Sequence, residues 1–304
     1  MDTQQLLGLS LLPVSLLGLI CNTSIVFASF RTKSLHPSFS LLVATLAVTD
    51  GFGSAIFGGY IAPMTVLNLS TWKSDSYRCG FLLMLVYDVA MHIHLLIVLN
   101  RFLAVFGPLV YSRVFSLKTT KLIVFLSIII SIATLITFHI VLECHLSYST
   151  EYWTFFYVNL PLCNWYGTNL NTKKLLTTTI LGVFINFLVL WKARRSRKLM
   201  SRGQMSNALS KKEMDFIKQT VGQAIYLFLF SINYYVVTFF PNRIVWFLMT
   251  MLFWCSVHTV DGLLVISFNS EIREAIGFRK MVRLQAASSN RGSSVAVDVP
   301  RSFS

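Results

Sequence analysis

The stretch Val98-Leu99-Asn100-Arg101-Phe102-Leu103-Ala104-Val105-Phe106-Gly107-Pro108-Leu109-Val110-Tyr111 closes one long apolar run and opens a second behind a proline. Proline lacks an N–H and pushes the residue before it out of helical geometry, so Gly107-Pro108 reads as the end of a helix. Arg101 thus falls near the end of an apolar helix. A guanidinium is costly in hydrocarbon, so it either snorkels to the interface or meets a polar partner inside a bundle.

Outward from this segment, runs long enough to cross a roughly 30 Å hydrocarbon core occupy residues 7–30, 39–67, 79–106, 119–142, 173–191, 215–239 and 244–268. Of the 304 residues, 55% are hydrophobic and 12% charged, half of the roughly 25% charged residues usual in soluble domains. The mean hydropathy is +0.65. The expected fold is an all-α membrane protein, a seven-transmembrane helix bundle spanning 1–268. Met1–Gln5 offers no basic residue ahead of the first run, which therefore reads as a membrane helix and not as a cleaved leader.

The formal charge of +14 invites a nucleic-acid reading, which its distribution opposes. With loops assigned alternately to two sides, 21 of the 26 Lys and Arg residues fall on one side and 5 on the other. The basic side includes Lys192-Ala193-Arg194-Arg195-Ser196-Arg197-Lys198. By the positive-inside bias the N-terminus is expected outside and the C-terminus in the cytoplasm, with membrane lipid a partner and nucleic acid excluded. Residues 284–304, rich in Ser and Arg, read as a disordered tail.

Of five cysteines, Cys21 and Cys255 lie within apolar runs and read as packing residues. Cys79, Cys144 and Cys163 fall on the oxidising outer side, where a bridge is expected. Cys79–Cys163 is the favoured pairing and Cys79–Cys144 the alternative. The outer loop 143–172 holds Tyr148, Tyr152, Trp153, Phe155, Phe156, Tyr157, Trp165 and Tyr166. Such rings suit a membrane-interface belt, the favoured reading, or a lid over an apolar pocket.

Polar side chains inside membrane helices need partners within the bundle. The first helix carries Gly18-x-x-x-Asn22, the second Leu46-Ala47-x-x-Asp50, the third Asn100-Arg101-Phe102, and the seventh His258-x-x-Asp261-Gly262-Leu263. These marks resemble, in order and in helix, those of rhodopsin-like seven-helix receptors. Asp261-Gly262-Leu263-Leu264-Val265 stands where that superfamily has Asn-Pro-x-x-Tyr. Phe268–Arg273 then resembles the start of a short amphipathic eighth helix, expected over 269–283. The sequence is similar above all to nematode serpentine chemoreceptors of class x, through Tyr87-Asp88, His94-Leu95-Leu96-Ile97-x-x-Asn100-Arg101-Phe102 and the His258–Leu263 ending.

The chain departs from the rhodopsin-like pattern in lacking a tryptophan in the fourth helix, a proline in the fifth and Cys-Trp-x-Pro in the sixth. Cys79 and Arg101 are also only 22 positions apart, about one helical turn closer than that pattern has them.

The resemblance implies a chemosensory receptor of the plasma membrane, a sensory cilium being one such membrane. A small external molecule would bind within the bundle and activate a heterotrimeric G protein at Asn100, Arg101, Phe102 and Pro108. The alternative ligand is an internal peptide or amine transmitter. Ser288, Ser289, Ser293 and Ser294 would recruit an arrestin once phosphorylated.

Asn22, Asp50 and Asp261 form the expected polar core, with a sodium ion or a proton at Asp50 as the alternative to a plain hydrogen-bonded network. Because Asn100 replaces an acid before Arg101, a weak inactive-state lock and basal signalling are expected. Asp88 and His92, four apart on one helical face, and Trp165 are the candidate ligand contacts; the competing reading of Asp88 and His92 is that they satisfy neighbouring helices. Metal is excluded because the histidines lack further ligands. No repeats or broken helices suggest a transporter, and no acid, base and nucleophile converge as an enzyme requires.

Overall fold

A computed structural model of the chain describes residues 2–31, 36–201 and 211–277. Among the described residues, seven helices are long and apolar enough to cross a membrane: Thr3–Arg31 (α1), Pro37–Val66 (α2), Ser76–Phe106 (α3), Leu117–Val141 (α4), Pro161–Lys198 (α5), Glu213–Phe239 (α6) and Arg243–Phe268 (α7). Between α4 and α5 the chain forms an antiparallel hairpin, Leu146–Ser149 (β1) against Thr154–Tyr157 (β2), with Leu146 opposite Tyr157. A short helix, Ser270–Ala275 (α8), follows α7. Asn269 caps it, its side-chain oxygen accepting from the N–H groups of Glu271 and Ile272 at 3.1 Å each. The helix ends at Ala275, with Ile276 as its C-cap and Gly277 at a φ of 79° behind it, so it stops short of the 269–283 expected from sequence; residues 278–283 and the serine-rich tail lie outside the described residues.

The helices are apolar nearly all round, and many large side chains stay on the outer surface of the bundle, Ile20, Phe27, Phe52, Phe125, Ile130, Phe184 and Phe187 among them. Hydrocarbon makes that exposure harmless, where water would penalise it by about 25 cal/mol per Å². The most enclosed helix is α3, which packs on α2, α4, α5, α6 and β1. Its buried face carries Asp88, His94, Asn100 and Arg101, the groups least tolerable in lipid.

Helix α5 begins at Pro161, a residue suited to a first helical position, and not near 173 as the sequence suggests. Its first turns are rich in polar residues because Asn164, Thr168 and Asn171 border a cavity, and that polarity makes them read as loop. Four helices widen into π-type turns: Phe57–Ile61 in α2, Ile136–Val141 in α4, Tyr166–Thr172 in α5 and Phe247–Leu252 in α7. All four lie toward the hairpin end of the bundle. Such turns insert one extra residue per turn and often mark functional sites.

The disulfide corrects the sequence reading. Cys144 pairs with Cys163, their Cα atoms 5.0 Å apart, and Cys79 is a free, buried thiol. Cys144 lies just ahead of β1 and Cys163 in the first turn of α5, so the bridge ties the start of the hairpin to the start of the helix that follows it. The hairpin is tied to α3 by other means. The Tyr148 N–H donates to Ser76 Oγ at 2.9 Å. Gly80 lets the backbone carbonyl of Leu146 approach where any Cβ would collide with it.

Candidate functional site

Three cavities are stacked along the axis of the bundle. The first lies under the hairpin and measures about 320 Å³. Its roof is Leu146 together with Thr154, Phe155, Phe156 and Tyr157, and its walls include Met84 and Tyr87 of α3, Asn171 and Leu175 of α5, Tyr234 of α6, and Thr250 and Trp254 of α7. The hairpin aromatics therefore form a lid and not only an interface belt. Asn171 Nδ2 donates to Tyr157 Oη at 3.1 Å, and Thr154 Oγ1 meets Thr250 Oγ1 at 2.6 Å. The buried Tyr87 Oη and Asn171 Oδ1 have no hydrogen-bond partner.

Tyr87 and Trp254 also roof the second cavity, about 20 Å³ in size, close to the volume of a single water probe. Asp50, His94, His258 and Asp261 line it. Asp50 Oδ1 lies 2.9 Å from His258 Nδ1, and Asp261 Oδ2 lies 2.8 Å from His94 Nε2. Asn22 Nδ2 donates to the His258 carbonyl at 2.9 Å. Gly53 leaves room for the His258 ring, since a Cβ there would sit 2.5 Å from Nε2. The expected polar core of Asn22, Asp50 and Asp261 is therefore brought together, and two histidines complete it. Sequence reasoning misses His94 and His258 as partners because each imidazole belongs to a helix far along the chain from its carboxylate.

The third cavity, also about 20 Å³, shares Met91, His94 and Leu227 with the second and reaches Thr220 and Gln223 on α6. Beyond it, on the side away from the hairpin, lies Arg101. Its guanidinium carbon sits 3.6 Å from the centre of the Phe39 ring and 5.3 Å from that of Phe216. In place of the acid that Asn100 replaces, a ring from α2 and a ring from α6 cover this arginine. Glu213, one turn before Phe216, adds attraction through space.

Asn100 is fully buried with both amide atoms unpartnered, and Phe102 stacks on Phe106 at 4.6 Å. Pro108 opens the short helix Pro108–Val114, whose Tyr111 ring packs 5.1 Å from His36. Burial, then repulsion from Arg101, holds the His36 imidazole below its usual pKa.

The three ligand contacts expected from sequence do not line the hairpin cavity. Asp88 forms an ion pair with Lys174 of α5. His92 Nδ1 lies 3.1 Å from Ser131 Oγ on α4. Trp165 stands on the first turns of α5 with half its surface exposed. Each follows from helical spacing or loop placement, and the packing of α4 and α5 against α3 reassigns them. Among the described residues no group of three or more His, Cys, Asp or Glu side chains could hold a metal.

Seven apolar crossings around a polar axis, closed at one end by a hairpin lid, define a serpentine, multi-pass membrane protein. Residues 12–269 match the family described as serpentine type 7TM GPCR chemoreceptor Srx, and the chain belongs to that family. Two relatives from Caenorhabditis elegans are similar over most of their length. Serpentine receptor class X 45 is 25% identical over 283 residues, covering 86% of this chain and 78% of that one. Serpentine receptor class X-43 is 24% identical over 267 residues, covering 85% and 82%.

Proposed function

We propose that this protein is a chemoreceptor whose hairpin cavity binds a small external molecule and whose arginine end engages a heterotrimeric G protein. The observation that carries the reading is the shared walls of the three cavities. Tyr87 and Trp254 belong to the first and second, while Met91, His94 and Leu227 belong to the second and third. A molecule that repositions Trp254 thereby acts on the Asp–His core and, through α6, on the ring that covers Arg101. Only a ligand with different affinities for the two arrangements shifts their populations.

Orientation follows from charge. Arg31, Arg113, Lys118, Lys121 and the basic end of α5 cluster at the arginine end, which favours that end in the cytoplasm and the hairpin outside. The disulfide then lies in an oxidising compartment, consistent with a plasma-membrane location. The imidazole already paired with each core carboxylate favours a shared proton over a sodium ion at Asp50. An arrestin would depend on the tail serines, which lie outside the described residues.

The test is nucleotide exchange on a panel of Gα subunits by the full-length receptor in lipid nanodiscs, screened against small neutral, cationic and anionic molecules. Exchange that depends on one of those molecules and is lost on Arg101→Ala supports the reading. Conductance without any Gα, or exchange indifferent to Arg101, refutes it.

A further inference from the structure

We infer that the molecule bound under the hairpin is uncharged, of the order of ten non-hydrogen atoms, with an apolar or aromatic body and a group able to hydrogen-bond to Tyr87 and Asn171. This inference rests on the proposed receptor reading and adds the chemical class of the ligand.

Three observations carry it. The first is charge. No residue lining the cavity is ionisable at neutral pH, its polar members being Tyr, Thr, Asn and Trp side chains. The carboxylate closest to it in sequence, Asp88 beside Tyr87, is neutralised by Lys174. A cation or anion entering the cavity would give up its water without gaining a counter-charge, a loss that nothing in the lining offsets. An amine would have to pull Asp88 from Lys174, and a carboxylate would have to do the reverse.

The second is the pair of unpartnered polar atoms. Tyr87 Oη is a hydroxyl that can donate or accept, and Asn171 Oδ1 is an acceptor whose own amide nitrogen is committed to Tyr157. A buried polar atom without a partner is destabilising until something bonds to it. Neither atom is exposed in this arrangement, so a ligand hydroxyl, oxime or amide reaches them as the side chains turn toward the cavity, a movement that a hydrocarbon does not reward. The cavity therefore selects for neutral molecules that both donate and accept.

The third is size and wall chemistry. A volume of about 320 Å³ is near the lower limit for small-molecule sites and corresponds to about ten water volumes of roughly 30 Å³ each. Phe155, Tyr234 and Trp254 present ring faces and edges that suit a planar or aliphatic body. A peptide is too large for this space unless only one side chain enters.

Three probes with one body and different charge test the inference on the full-length receptor in nanodiscs: 2-phenylethanol, 2-phenylethylammonium and phenylacetate, read by saturation-transfer NMR and by melting temperature. The alcohol is expected to bind at least about tenfold more tightly than either ion. Asn171→Leu and Tyr87→Phe should each weaken the alcohol by about tenfold. Asn171→Asp should move the preference toward the ammonium probe.

Leu175→Trp fills the cavity, and Thr168→Trp closes its exposed rim, so binding should be lost in both; the rim variant serves if the buried one fails to fold. If an ion binds as well as the alcohol and the two tryptophan variants block it, the cavity stands as the site and the neutral class is wrong. If none of the three binds at millimolar concentration, the neutral class is again wrong. Binding that survives both tryptophan variants in folded protein overturns the receptor reading itself.

Discussion

The hairpin end and the arginine end of this bundle are made from the same helices with opposite chemistry. At the hairpin end a β-hairpin, stapled by Cys144–Cys163, covers an uncharged cavity whose walls leave two polar atoms unpartnered. At the other end Phe39 and Phe216 pack directly on the guanidinium of Arg101. One end keeps space and neutrality, which suits the small uncharged molecule proposed for it. The other keeps a charge covered by a ring that belongs to a different helix. The coupling proposed above would rest on what lies between the ends, the two Asp–His pairs, which line one cavity sharing walls with both of its neighbours.

That arrangement can be broken at its centre, where the effect should be largest. Asp261→Ala leaves His94 buried without its carboxylate, and breaking such a pair costs roughly 3–5 kcal/mol. The melting temperature in nanodiscs should fall sharply, and probe binding and nucleotide exchange should fail together. Asp261→Asn keeps a hydrogen-bond acceptor and should lose much less. Loss at one end alone would mean that the two ends are independent.

At the hairpin end, Cys144→Ser opens a loop with a sequence separation of 19, worth about 3 kcal/mol. Surface expression and probe binding should drop, whereas Cys79→Ala should cost about 1 kcal/mol or less. Equal losses in the two variants would restore a role for Cys79 in the bridge. An effect smaller than that of Cys144→Ser is expected at the arginine end. Phe216→Ala removes a desolvated cation–π contact of about 2 kcal/mol and should raise basal nucleotide exchange about tenfold or somewhat more. Probe binding under the hairpin should persist, and an unchanged basal rate would reduce Phe216 to a packing residue.

Much of the polar axis is legible in the order of residues alone. Asp50 and Asp261 stand out because a carboxylate inside an apolar run demands a partner, and Arg101 does so for the same reason. Their partners are not legible there. His258 reaches Asp50 across 208 positions of sequence and His94 reaches Asp261 across 167. Helical spacing groups Asp88 with His92, and that grouping fails because each side chain answers to a different neighbouring helix. The hairpin is hidden by its aromatic residues, which fit a membrane-interface belt as well as a lid.

The sequence by itself determined that the chain crosses a bilayer seven times and which polar groups must be shielded, because hydrophobicity and charge are local properties that lipid reads residue by residue. Only the tertiary structure decided which cysteines pair, which histidine meets which carboxylate, that two phenylalanines cover Arg101, and where space remains for a ligand. Those outcomes depend on how neighbouring helices rotate and approach, a matter of packing between segments distant along the chain.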